Sequence, residues 1–71
     1  MTPQEMVRVQ AYMRKVFGAK TLSVRPRPKV QDSAEVYVGD DFIGTLTEDK
    51  EDGELCYQFQ MAILELDLED A

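Results

Sequence analysis

The 71-residue chain has no histidine, no tryptophan and one cysteine, Cys56. Without histidine there is no Ser-His or Cys-His nucleophile pair and no His-ligated metal. With one cysteine there is no internal disulfide, and a lone thiol fits a reducing cytoplasm. Long apolar runs are also lacking. The longest, Met61-Ala62-Ile63-Leu64, falls far short of the ~20 residues of a membrane span. The opening residues, broken by Gln4, Glu5, Arg8 and Gln10, form no signal-peptide core. The four glycines are scattered and make no phosphate loop. Length allows a single domain over residues 1–71, with a thin core and no second domain to enclose a substrate. No cofactor, metal or small-molecule substrate is therefore expected, nor enzymatic activity.

What is present begins with a charge split. Residues 1–30 hold seven basic residues against Glu5, a balance of +6, and the remainder holds Lys50 against thirteen acids, a balance of −12, giving the net −6. Such asymmetry points either to a charged partner or to two halves that neutralise each other in the fold. With 44% hydrophobic residues the chain can form a core.

Hydrophobic periodicity gives the elements. Thr2 and Glu5 are spaced as a capping box around Pro3, and Gly18 suits a left-handed helix end. Between them Met6, Val9, Met13, Val16 and Phe17 recur at helical spacing, predicting a helix over residues 3–17. The period then falls to two. Strands are expected over residues 21–25, 33–38, 42–47 and 55–63, with turns at Gly39-Asp40-Asp41 and at residues 49–53. The prolines of Arg25-Pro26-Arg27-Pro28-Lys29 exclude a central strand and favour an extended polyproline connector. In the last strand Leu55, Tyr57, Phe59, Met61 and Ile63 should meet the helix stripe. The parity then flips to Leu64, Leu66 and Leu68, which calls for a bulge near Ile63, a strand end or an apolar strip on the other face. Glu69-Asp70-Ala71 reads as a solvated end. The expected fold is α+β, α-β-β-β-β in order: an N-terminal helix on one face of a four-stranded antiparallel meander, in two layers.

The opening Thr2-Pro3-Gln4-Glu5, the stretch Ser33-Ala34-Glu35-Val36-Tyr37-Val38-Gly39-Asp40 with Phe42-Ile43-Gly44, and Tyr57-Gln58-Phe59-Gln60-Met61-Ala62-Ile63-Leu64 resemble domain-of-unknown-function family 3126. These are short alphaproteobacterial proteins. The resemblance spans nearly the whole chain. It implies a bacterial cytosolic protein, and it implies no activity and no site residues.

Motif by motif, the chemistry is sparse. A loop with Gly53 at the sixth position of an EF-hand would place Lys50 third and Phe59 twelfth, where calcium needs oxygen ligands. Cys56 has no histidine or cationic neighbour to activate it. No GXXG or RNP1-type cluster marks an RNA-binding module, and Tyr37, Phe42, Tyr57 and Phe59 fit core strands as well as base stacking. The two surfaces left for function are a basic patch and an apolar strip. Arg8, Arg14, Lys15, Arg25, Arg27 and Lys29 are the candidates for contacting phosphate or nucleic acid, if helix and connector form one basic surface apart from the acidic turn and chain end. Leu64, Leu66 and Leu68 are the candidate protein interface, covered by a homodimer or a dedicated partner, or else folded into the monomer core by a bulge. The primary expectation is a non-enzymatic protein-interaction module. The alternative is an RNA- or phosphate-contacting accessory protein.

Overall fold

The computed structural model describes residues 1–69; of the expected solvated end, Asp70 and Ala71 lie outside the described residues. Helix α1 spans Pro3–Phe17. The Thr2 side chain accepts from the Glu5 N–H and the Glu5 carboxylate accepts from the Thr2 N–H, each at 3.1 Å, so two otherwise orphaned donors are satisfied. At the other end Gly18 turns left-handed (φ 64°) and its N–H bonds the Arg14 carbonyl.

Strands β1 (Leu22–Arg27), β2 (Val30–Val38), β3 (Asp41–Asp49) and β4 (Cys56–Gln60) form one antiparallel sheet in the order β1-β2-β3-β4. A single 3-10 turn, Glu51–Gly53, lies in the β3–β4 connection, and a short helix α2, Glu65–Glu69, follows β4. The α+β class and the two-layer meander stand as the periodicity predicts. α2 is an addition.

The proline-rich stretch corrects the polyproline expectation. β1 runs on through Pro26 to Arg27, and only Pro28 and Lys29 turn into β2, which starts at Val30 rather than Ser33. The strand tolerates Pro26 because β1 is an edge. The Val24 N–H points outward, to Gln10; Pro26, two residues on, lacks an N–H that would point the same way. Its missing donor therefore takes nothing from the β1–β2 ladder.

The core lies between α1 and one face of the sheet. Met13, Leu22, Val24, Ala34, Val36 and Leu46 are buried there. A register shift at Val36/Tyr37 leaves Ile43 without a partner in β2. This bulge lets Gly44 face the core beside Val36 while Phe42 joins Tyr37 on the far face, their rings edge-on at 5.7 Å.

How α1 sits on the sheet decides the rest. It lies toward β1 and closes that edge: Gln10 Oε1 accepts from the Val24 N–H at 3.0 Å and Arg14 Nε donates to the Leu22 carbonyl at 2.6 Å. An edge strand left bare would template aggregation. With the helix drawn to β1, the expected seam with β4 does not close. Val16 and Phe17 remain exposed on α1; on the other side Tyr57 and Phe59 pack, but Leu55, Met61 and Ile63 are exposed.

Candidate interaction surface

β4 is the other edge, and it is shorter than the sequence suggests. Its last pair with β3 is Thr45↔Gln60. Beyond it β3 carries the Ile43 bulge, and residues 61–64 leave the sheet instead of continuing the strand to residue 63. Gly44 allows the close approach at this exit, because its Cα faces the Gln60 carbonyl and the Phe59 ring.

The outer side of β4 has no strand partner within the sheet. Beside it, between α1 and β4, lies a groove of about 260 Å³ lined by Val9, Tyr12, Val16, Phe17, Tyr57 and Phe59 with Met13 and Leu46 at its base. Phe17 and Phe59 meet at one end, ring centroids 6.1 Å apart. At helical spacing Arg8 and Lys15 flank Tyr12 on the solvent side of α1, while the lining of the groove itself is apolar and aromatic.

Leu64, Leu66 and Leu68 fall in α2 and at its start, and all three are exposed, Leu66 at 67%. Neither the bulge near Ile63 nor the single strip forms. Leu64 begins the helix, where the Asp67 carboxylate accepts from its N–H at 3.0 Å. In this helical form Leu64 and Leu68, four apart, share a side and Leu66 points away from it. The signal for α2 was the Leu64–Asp67 spacing of half a capping box and the acidic first turn, which the alternation of leucines obscured.

The basic residues do not gather into one surface. Arg8 and Lys15 lie on the outer side of α1 and are exposed. Arg14 is tied to the Leu22 carbonyl. Arg25 lies on the sheet face away from the helix, its guanidinium 4.0 Å from the centre of the Tyr37 ring and bonded to the Gly39 carbonyl and Ser23 hydroxyl. Arg27 donates to Ser33 Oγ at 3.4 Å, and Lys29 sits in the β1–β2 turn. Nor do the two halves neutralise each other by pairing: among the described residues the one ion pair within 4 Å is Lys50–Glu48, inside the acidic part, at 3.8 Å. Cys56 is an exposed free thiol whose sulfur accepts from Gln58 Nε2 at 3.7 Å.

A second, shallower cleft of about 440 Å³ opens at the start of α1, with Glu5, Arg27, Glu48 and Lys50 on its walls. Next to it the Tyr57 hydroxyl donates to Glu5 Oε2 at 2.7 Å, joining β4 to the first turn of α1. That bond, then the Thr2 N–H and the neighbouring Glu48 carboxyl, hold Glu5 down from the ordinary 4.5 to about 2. The same bond is the first cause, ahead of desolvation, of the rise in Tyr57 from 10 to about 12. A carboxylate with a depressed folded-state pKa contributes stability that is present above its unfolded pKa and lost as pH falls through the folded one, here between about 4.5 and 2. Tyr57 contributes on the alkaline side, below 10, and that contribution goes as pH rises toward 12. Tyr57→Phe is expected to lower the urea midpoint at pH 7 modestly, since solvent screens the pair. The gap to the parent chain should narrow as pH falls below about 4.5. A gap independent of pH would show that the Glu5 bond does not form.

Among the described residues no helix is long and apolar enough to cross a membrane. Compared with curated proteins and with solved structures, the chain matches none. The family described as "Protein of unknown function (DUF3126)" matches residues 5–67, nearly the whole of the fold from the first turn of α1 into α2, and the chain belongs to that family.

Proposed function

We propose that this is a small non-enzymatic protein-interaction module of the bacterial cytoplasm, which works through its C-terminal segment and forms a homodimer or binds a dedicated partner. One observation carries this reading: Leu64, Leu66 and Leu68 are all exposed, in a chain whose core makes no use of them. Each leucine gains roughly 1.5–3 kcal/mol on burial, and a domain this small has few such residues to leave in water. The lining of the two clefts supports this reading. Glu5 and Tyr57 are committed to joining α1 to β4, and the groove is walled by hydrocarbon and aromatic rings.

The nucleic-acid alternative is weakened by the engagement of Arg14, Arg25 and Arg27 within the fold. Phosphate binding is also steeply salt-dependent, which separates the two readings. The test is affinity capture from native bacterial lysate with nuclease present, using the parent chain and a Leu64→Glu/Leu66→Glu/Leu68→Glu variant. We expect partners retained through nuclease and raised salt and lost in the variant. Capture abolished by nuclease but indifferent to the leucines would favour the basic residues instead.

A further inference from the structure

The alternation Leu64-Glu65-Leu66-Asp67-Leu68-Glu69 is at odds with the helix it forms. A helix of five residues is too short to be stable by itself, and α2 buries none of its side chains. Helical geometry splits the leucines between two sides. Extended geometry gives the same six residues one wholly apolar face and one wholly acidic face. The segment has the pattern of a strand without a sheet to join.

The molecule offers a sheet edge that lacks a strand. β1 is closed by Gln10 and Arg14 and carries Arg25 and Pro26. β4, Cys-Tyr-Gln-Phe-Gln, has no charge and no proline, and among the described residues no strand pairs with its outer side, so it lacks the charges and prolines by which edge strands avoid pairing. A strand laid beside it at the usual spacing of roughly 5 Å would extend the row of Tyr57 and Phe59 on the helix-side face. That position is the open side of the groove. We propose that residues 63–69 of one copy add as a strand to the free edge of β4 in a second copy, with Leu64, Leu66 and Leu68 facing the α1–β4 groove, and that two copies exchange these segments reciprocally. This rests on reading the C-terminal segment as an interaction element, and it names the occupant and the mode.

Two arguments select a second copy. Pairing of the segment with β4 of its own chain would need residues 61–64 to close a hairpin loop, and in the single chain these residues leave the sheet and pass into α2 instead. Exchange about a two-fold axis needs no such loop and satisfies both copies at once. With the leucines turned to the groove, Glu65, Asp67 and Glu69 face the other side of the sheet, beside the uncharged Gln58 and Gln60 of β4.

Light scattering of the full chain from low to several hundred micromolar should show an 8.1 kDa species giving way to one of twice that mass. Leu66→Glu, in the segment, and Val16→Glu, at a groove position 56% exposed and so tolerant of change, should each hold the chain at 8.1 kDa with an unaltered circular dichroism spectrum of the body. Mixing the two variants should restore a dimer, because one intact segment then meets one intact groove. Amides of residues 65–69 should gain exchange protection only as the dimer forms. A parent chain that stays monomeric throughout overturns the exchange, as does early protection of residues 65–69 in a monomer. A dimer broken by Leu64→Glu and Leu68→Glu but not by Leu66→Glu also overturns it, because that is docking by a helix face. Lysate partners that still depend on the leucines in a strictly monomeric chain would retain the interaction reading and remove only the exchange.

Discussion

Gly44→Ala is expected to detach β4 and to remove most of the stability of the fold. Gly44 is buried on the core face of β3, and a Cβ built there falls on the Gln60 carbonyl oxygen and 2.7 Å from Cε1 of Phe59. The carbonyl belongs to backbone held by the Thr45↔Gln60 pair, so it cannot swing aside as a flexible side chain would. Overpacking of this kind costs about 1–3 kcal/mol where side chains can adjust and more where backbone must move. Phe59 must also leave Phe17 and the core edge. Against a total of order 5 kcal/mol for a domain of this size, the urea midpoint should fall by more than half. Exchange protection should disappear first from β4. A midpoint within error of the parent's would mean that β4 does not approach Gly44 as described.

The second large effect contrasts one side chain in two places. Leu22 is fully buried, where β1 passes under α1, and Leu66 is 67% exposed. Leu22→Ala should cost about 2–5 kcal/mol, the transfer energy of the lost methyls plus the cavity left between helix and sheet. Leu66→Ala should change stability by no more than about 0.5 kcal/mol when measured at low micromolar concentration. Thermal and urea denaturation of both variants checks this. Equal effects would contradict the placement of either residue.

The helix and the sheet were readable from the chain for a shared reason. Thr2, Glu5 and Gly18 act on backbone groups three or four residues away, so the bounds of α1 are local chemistry. The alternation in β2 and the Gly39-Asp40 turn are equally local. Together they determined one helix and a four-stranded meander, whatever else the chain touched.

What tertiary structure decided is everything that depends on residues far apart in sequence meeting. Gln10 and Arg14 look like ordinary exterior helix residues until β1 presents an unpaired N–H and C=O beside them. Their engagement draws α1 toward β1 and leaves the groove at β4. Glu5 and Tyr57 bond across 52 positions of sequence. The end of β4 at Gln60 follows from the bulge at Ile43 on its neighbour and from the space that Gly44 leaves. The fate of Leu64, Leu66 and Leu68 is of the same kind. Their alternation specifies a strand, but a strand needs an edge to pair with; within a single copy residues 61–64 turn away from β3, and the segment takes the one structure it can close with its own backbone, a single helical turn held by Asp67.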